Sequence, residues 1–417
     1  MAKNYKGEQE MEQKRIIELK EFYHDALLKD IVPFWMQSDL IDKEYGGFIT
    51  SVDRAGKSYN DDKSVWFQGR CLWTFSKLCN VYGVRPEWAE AADRGAEFLK
   101  KYCIDESDGR MYFTVTQDGK PIRKRRYFFS ESFLVVGFAE YYLLRGDKKD
   151  LELAEEYFDL MYRIYKDAGA DPFKITPKEN SEVRNLHSNS YPMVLVSSAQ
   201  TLRRADSDRS DYYDKIIEDV ISDMINLHYK EELKCVLENV CLDGSILDNP
   251  VGRTINPGHS IENSWFLMNY AISTDNKELL DKALNILRWH LELGWDKEYG
   301  GIYYYRDVYN RPCEQLEHDM KLWWVHNEAL IATLLAANLT GDAYYDEWYE
   351  KIHDYVFSHF PDKEHGEWYG YLHRDGSVSH EQKGSLWKGP YHLPRCLMLC
   401  EQILAASEKG EQAKELL

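Results

Sequence analysis

At 417 residues, 44% of them hydrophobic and 29% charged, the chain has the make-up of a globular protein with a sizeable core, and length alone leaves one to three domains open. A formal net charge of -19 repels nucleic acid and anionic membrane surfaces, which excludes both as general partners and points to a small molecule. No apolar run approaches a membrane span, and Met1 to Arg15 is polar with no signal-peptide core, so a cytoplasmic protein is expected.

A charged helical opening is predicted over about Glu8 to Phe34. One pattern then returns along the chain. Asp42-Lys43-Glu44-Tyr45-Gly46-Gly47 is echoed by Asp296-Lys297-Glu298-Tyr299-Gly300-Gly301, more loosely by Asp362-Lys363-Glu364-His365-Gly366, and in its Asp-to-Gly offset by Asp105 to Gly109. A weaker copy runs from Lys234 to Gly244, and Asp167 to Pro177 is a degenerate one. Alternating segments ending in Asp118-Gly119 and Asp375-Gly376 follow two of these copies, the signature of β-hairpins.

Each hairpin region leads to a helix that is apolar nearly all round, with starts predicted near Lys63, Ser130, Asn189, Gly258, Leu322 and Pro390. Between them lie amphipathic helices, one carrying Ala154, Tyr157, Phe158, Met161 and Ile164, another Tyr345, Trp348, Ile352, Tyr355 and Val356. The alternation has a period of roughly 60 to 70 residues. Six such units bury their inner helices against one another, and ring closure removes the need for end caps. The fold expected is all-α, an (α/α)6 barrel of six helical hairpins over residues 1–417 as a single domain, with short β-hairpins at one rim.

The eight cysteines (Cys71, Cys79, Cys103, Cys235, Cys241, Cys313, Cys396, Cys400) contain no Cys-x-x-Cys pair and read as buried free thiols, not as a disulfide framework or a zinc site. Thirty tyrosines and twelve tryptophans serve mainly as packing between helices, while some can act as flat platforms for sugars. The basic run Arg123-Lys124-Arg125-Arg126 is read as a solvated hairpin edge in preference to a phosphate site.

Two helix entrances carry a proline two residues before a histidine, at Pro257-Gly258-His259 behind the N-cap Asn256 and at Pro390-Tyr391-His392. The barrel rim would bring them together with Gln68, Arg70, Glu131, His187, Asn189, Glu262, Trp323, Trp324, His326 and Glu328. Imidazole both takes and gives protons near neutrality, so two of them facing a carbon acid can remove a proton from one face and return one to the other. Taken singly, each residue also has a structural reading as a cap, a dipole partner or a counter-ion. Glu262, one turn after His259, favours the imidazolium of His259, whereas the helix amino-terminus keeps His392 neutral.

The matching stretches Gly46-Gly47-Phe48, Asp61 to Arg70, Phe129 to Phe133, Asn256 to His259 with Glu262 and Trp265, Lys321 to Ala329 and Lys388 to Leu397 resemble the N-acylglucosamine 2-epimerase family over about residues 46–400. The resemblance implies an (α/α)6 barrel and a two-base transfer at C2 of an open-chain N-acetylglucosamine or N-acetylmannosamine, with His259 and His392 as the bases. Substrate contacts are implied for Arg70 and Glu328 near the carbonyl, and expected from Gln68, Glu131, Asn189, Glu262, Trp323 and His326. It further implies a homodimer and ATP as an activator that is not consumed; no metal is expected. Related branches that epimerise cellobiose or isomerise mannose share the barrel and both histidines; His326 and the Leu393 to Leu397 ending favour the acylglucosamine branch. Two other classes remain open: a glycosidase using a carboxylate pair such as Glu131 and Glu328, and a carbohydrate-binding module without turnover.

Overall fold

Helices that are apolar on almost every side cannot be satisfied by a single neighbour, and six of them stand side by side in the middle of this molecule. The computed structural model describes residues 2–124, 127–171 and 183–417, with side chains from residue 13 onward. Among the described residues the inner helices are Val65–Tyr82, Phe129–Arg145, Ser190–Ala205, Pro257–Ser273, Trp323–Thr340 and His392–Glu408. Six outer helices surround them: Ala2–Asp25, Pro86–Tyr102, Lys148–Lys166, Ser210–Leu227, Lys277–Gly294 and Ala343–His359. The architecture is the expected (α/α)6 barrel.

The outer helices bury one stripe each, as in Lys148–Lys166, where Ala154, Tyr157, Phe158 and Met161 are buried and Ile164 is half-buried. The inner helix Trp323–Thr340, in contrast, is buried from Trp323 through Ala336 without interruption. The first outer helix continues through a π-helical stretch, Ala26–Ile31, and packs against the last unit, with His24 Nδ1 3.0 Å from Glu401 of the last inner helix and Tyr23 Oη 2.7 Å from Tyr349 Oη of the last outer helix. Chain start and last unit thereby close the ring.

The hairpins do collect at the rim where the inner helices begin, and they stitch adjacent units together. Lys63–Ser64, just before the first inner helix, pairs with Tyr112–Val115 of the next unit. Leu186–Ser188 pairs with Asn239–Cys241, Thr254–Ile255 with Arg306–Asp307, and Lys321–Leu322 with Tyr371–Leu372 in the same way. Lys383 and Gly384, ahead of the last inner helix, donate to the Val52 carbonyl of the first unit at 3.1 and 3.0 Å. Among the described residues the stitching joins five of the six neighbouring pairs of units.

The four clear Asp-to-Gly copies each form a turn closed by a bridge, Ile41 to Phe48, Ile104 to Met111, Trp295 to Ile302 and Pro361 to Trp368. The turn needs positive φ, 66° at Gly47 and 72° at Gly301, where glycine is unstrained. A lysine clamps several of these turns: Lys63 donates to Asp42 at 2.7 Å and Lys321 to Asp296 at 3.1 Å, all four residues being buried. Of the basic run, Lys124 pairs with Asp105 and Asp108 at 2.6 and 2.7 Å; Arg125 and Arg126 lie outside the described residues, as does most of the degenerate copy from Asp167 to Pro177. The eight cysteines are free, and six of them are buried.

Candidate active site

At the stitched rim the inner helices enclose a cavity of about 650 Å³, of the size that holds a small ligand. His259, Glu262, Arg70, Trp323, Trp324, His392 and Arg395 line it, with Trp66, Trp387 and Tyr304 near the mouth.

His259 reaches the cavity because its helix starts sharply. Asn256 caps the first turn, its side-chain oxygen accepting from the His259 N–H at 3.1 Å, and Pro257 occupies the first helical position. Gly258 is required for a different reason: a Cβ there would lie 2.6 Å from the Trp324 ring. That close approach sets the Trp324 ring centroid 5.3 Å from the His259 ring and 5.8 Å from the His392 ring, against both imidazoles.

The second histidine is presented differently from the expectation. The helix begins at His392 itself, not at Pro390, because Tyr391 has φ −132° and ψ −72° and its N–H turns back to the Gly389 carbonyl at 2.8 Å. No side chain caps this helix start. The two entrances thus share a proline-to-histidine spacing in sequence without sharing a backbone conformation.

Both rings are held by Nδ1 against a carboxylate. His259 Nδ1 is 3.1 Å from both oxygens of Glu238, and His392 Nδ1 is 2.8 Å from Glu328 Oε1. With Nδ1 carrying the proton, each Nε2 is left for the cavity. Glu328 is anchored in turn, its Oε2 accepting from Trp265 Nε1 at 2.9 Å. Arg395 donates to Glu262 and to the His392-bound oxygen of Glu328, both at 2.6 Å. Glu262, Glu328 and His392 converge closely enough to suggest metal ligands, but the Arg395 guanidinium already supplies the positive charge at their centre.

These surroundings push the imidazoles in opposite directions. Burial would lower both. For His259 the Glu238 carboxylate overcomes that and raises the pKa above 6.5, with Glu262 adding a smaller push. For His392 burial is reinforced by the Arg395 and Arg70 guanidiniums, which hold it well below 6.5; Glu328 does not reverse this because Arg395 already neutralises the same oxygen. Burial raises the Glu328 carboxyl, against the lowering effect of Arg395. Arg70 is lowered by burial to about 10 and stays charged at neutral pH, with its guanidinium 4.2 Å from the Phe133 ring centre and donating to the Trp387 carbonyl at 3.0 Å. One cavity thus holds an imidazole held neutral, a second whose charged form Glu238 favours, and a guanidinium, a set suited to moving a proton on and off a carbon next to a carbonyl.

Five expected substrate contacts do not line the cavity: Glu328 stands behind His392 as its hydrogen-bond partner, and Gln68, Glu131, Asn189 and His326 lie behind the wall. Gln68 accepts from the Phe48 N–H at 2.7 Å and donates to its carbonyl at 2.8 Å. His326 accepts from the Ile302 N–H at 2.9 Å while its Nδ1 faces the Leu322 carbonyl, and Glu131 accepts from the Met111 N–H at 3.0 Å and from Arg110 at 2.7 Å. Each holds the backbone that leaves an Asp-to-Gly turn. The reason is helical geometry: Gln68 and Arg70 are two residues apart, about 200° round the helix, so only one can face inward. The carboxylate pair Glu131 and Glu328 therefore does not face a common cavity. Asn189 is buried at its helix start, its N–H donating to the Glu238 carbonyl at 2.9 Å, and does not line the cavity; His187 is hydrogen-bonded to His228 at 2.8 Å, also outside it.

Residues 47–396 match the profile of the family described as N-acylglucosamine 2-epimerase (GlcNAc 2-epimerase). The rat N-acylglucosamine 2-epimerase is 36% identical over 386 residues, 91% of this chain and 90% of that protein. The chain belongs to the N-acylglucosamine 2-epimerase family. Cellobiose 2-epimerase from Dictyoglomus turgidum is more distant, at 29% identity over 92% of this chain and 99% of that one. The solved cellobiose 2-epimerase from Spirochaeta thermophila shares the fold with a TM-score of 0.79 at 21% identity, over 94% and 98% of the two chains.

For a member of this isomerase family, the groups that sequence reasoning missed are Glu238 and Arg395. Arg395 lies one turn beyond His392 on the same helix face, a signal that was available. Glu238 sits 21 residues before His259 on a rim strand connection, and it is brought to the cavity by the register of Leu186–Ser188 with Asn239–Cys241 and by its own N–H donating to the Thr254 carbonyl at 3.0 Å.

Proposed function

We propose that this protein interconverts N-acetylglucosamine and N-acetylmannosamine by a two-base proton transfer at C2 of the open-chain sugar. The observation that carries the reading is the pair of imidazoles on one cavity, each anchored through Nδ1 by a carboxylate with Nε2 left for the substrate. In one direction Nε2 of neutral His392 takes the C2 proton, the C–H electron pair becomes the C1–C2 double bond, and the carbonyl electrons move to O1. Arg70 stabilises that oxygen. His259 then delivers its proton to the opposite face of C2, and solvent exchange resets both rings. No electron leaves the substrate, so no redox partner is needed.

Glu238 and Glu328 orient the rings, and Trp323 and Trp324 give the sugar an apolar wall. The family resemblance supports a homodimer, a cytoplasmic location and ATP as an activator that is not consumed; sedimentation and assays with and without ATP test the first and last. The substrate assignment is tested by offering N-acetylmannosamine, mannose and cellobiose in turn and following the C2 proton by NMR. Turnover of N-acetylmannosamine is expected. Turnover of cellobiose or mannose alone would move the protein to a neighbouring branch of the family.

A further inference from the structure

The cavity is much deeper on one side than a proton transfer at its rim requires. On the fifth and sixth inner helices its lining ends at Trp324 and Arg395, within the first turn. On the second, third and fourth it continues along one face, from Phe129 to Val136, from Ser190 to Ser198 and down to Phe266. At a rise of about 1.5 Å per residue, these faces descend roughly 10 to 14 Å from their helix starts, against roughly 4 to 5 Å at Arg395. The spacing confirms a continuous stripe: Phe129, Ser132, Phe133 and Val136 follow i, i+3, i+4, i+7.

The two sides also differ in chemistry. Every titratable group on the inner helices that lines the cavity lies on the first, fourth or sixth helix, whereas the second and third contribute only apolar side chains and serines. The lower lobe is formed by Phe133, Val136, Met193, Val194, Ser198 and Phe266.

We propose that this lobe receives the acyl group on the C2 nitrogen and has room for acyl chains longer than acetyl. The proposal rests on the epimerase reading above and adds where the N-acyl substituent goes. Once C2 lies beside His259 and His392, two parts of the sugar compete for the lobe. The C3 to C6 chain carries a hydroxyl on every carbon, and an apolar lobe with isolated serines would leave most of those hydroxyls without partners. The acyl chain has one amide next to C2 and is otherwise hydrocarbon. The polyol fits instead at the open mouth, where Glu317, His380 and Tyr304 line the cavity.

The test measures C2 epimerisation of N-acetyl-, N-propanoyl- and N-butanoylglucosamine by wild type, Val136→Phe and Val194→Phe. In wild type each added methylene is expected to hold or lower KM, by up to about fourfold. Either phenylalanine fills the lobe and should lower the butanoyl-to-acetyl ratio of kcat/KM by tenfold or more; Val194 is only half-buried, so its variant keeps the test usable if Val136→Phe fails to fold. Wild-type turnover of the acetyl substrate with butanoyl turnover more than tenfold poorer overturns the lobe assignment alone. So does a ratio unmoved in the folded variants. No turnover of any N-acylglucosamine overturns the epimerase reading, and the lobe assignment with it.

Discussion

Glu238→Gln isolates the carboxylate that makes the two histidines unequal. Amide and carboxylate have nearly the same shape, so the hydrogen bond to His259 Nδ1 survives while the charge 3.1 Å away is lost. A neighbouring opposite charge shifts a pKa by about 1 to 3 units, and because the His259 side chain is 25% exposed the lower part of that range applies, about 1 to 2 units. Each unit corresponds to about 1.4 kcal/mol. His259 must be protonated and His392 neutral for turnover in the direction described, so kcat/KM against pH is a bell whose alkaline limb reports His259 and whose acid limb reports His392. The variant should move the alkaline limb acidward by about 1 to 2 units, losing about tenfold in kcat/KM per unit at any pH above the wild-type limb. The assay is the pH profile of N-acetylmannosamine epimerisation. An alkaline limb that stays in place, or movement of the acid limb alone, would refute the assignment of Glu238.

Arg395→Met leaves Glu262 and Glu328 buried without their cation, so a stability loss of about 3 to 5 kcal/mol is expected by urea unfolding. The same change removes a charge that depresses His392 and should move the acid limb upward. Gln68→Met and His326→Leu each strand buried backbone groups, of Phe48 and Ile302, and should cost about 1 to 3 kcal/mol while leaving the sugar KM in place. A large rise in KM would return these residues to the substrate. Buried His290 is pushed down to about 4, against 6.5 for a free imidazole, so the unfolded chain binds the extra proton between those values. The stability this gives is present above pH 6.5 and lost as pH falls towards 4. His290→Gln should therefore shrink the urea-measured stability difference between pH 6.5 and pH 5 by about 2 kcal/mol.

The barrel was legible because its turns are chemically expensive to vary. An Asp that caps a turn, a glycine at positive φ and a lysine on the next strand recur as a set, and the apolar helix behind each set has no polar face to mislead. The site was legible in part. Asn256 and Pro257 locate His259 by local backbone chemistry alone, and His392 is found by its proline spacing even though its backbone turns differently. Gln68, Glu131 and His326 looked like converging polar groups because they recur at helix entrances; they recur for a structural reason, since each holds the backbone that leaves one rim turn. Glu238 was hidden because nothing within its own hairpin marks it, and its role arises from strand pairing across 50 residues of chain.

Deuterium at C2 tests the two-base account most directly. In deuterated water, wild-type product should carry deuterium at C2 while recovered substrate retains hydrogen at early times. His259→Asn and His392→Asn should each abolish epimerisation, and each should still exchange the C2 hydrogen of one epimer without inverting it, a different epimer in the two variants. Product that keeps its original hydrogen, or the same epimer exchanging in both variants, would contradict a transfer shared between His259 and His392.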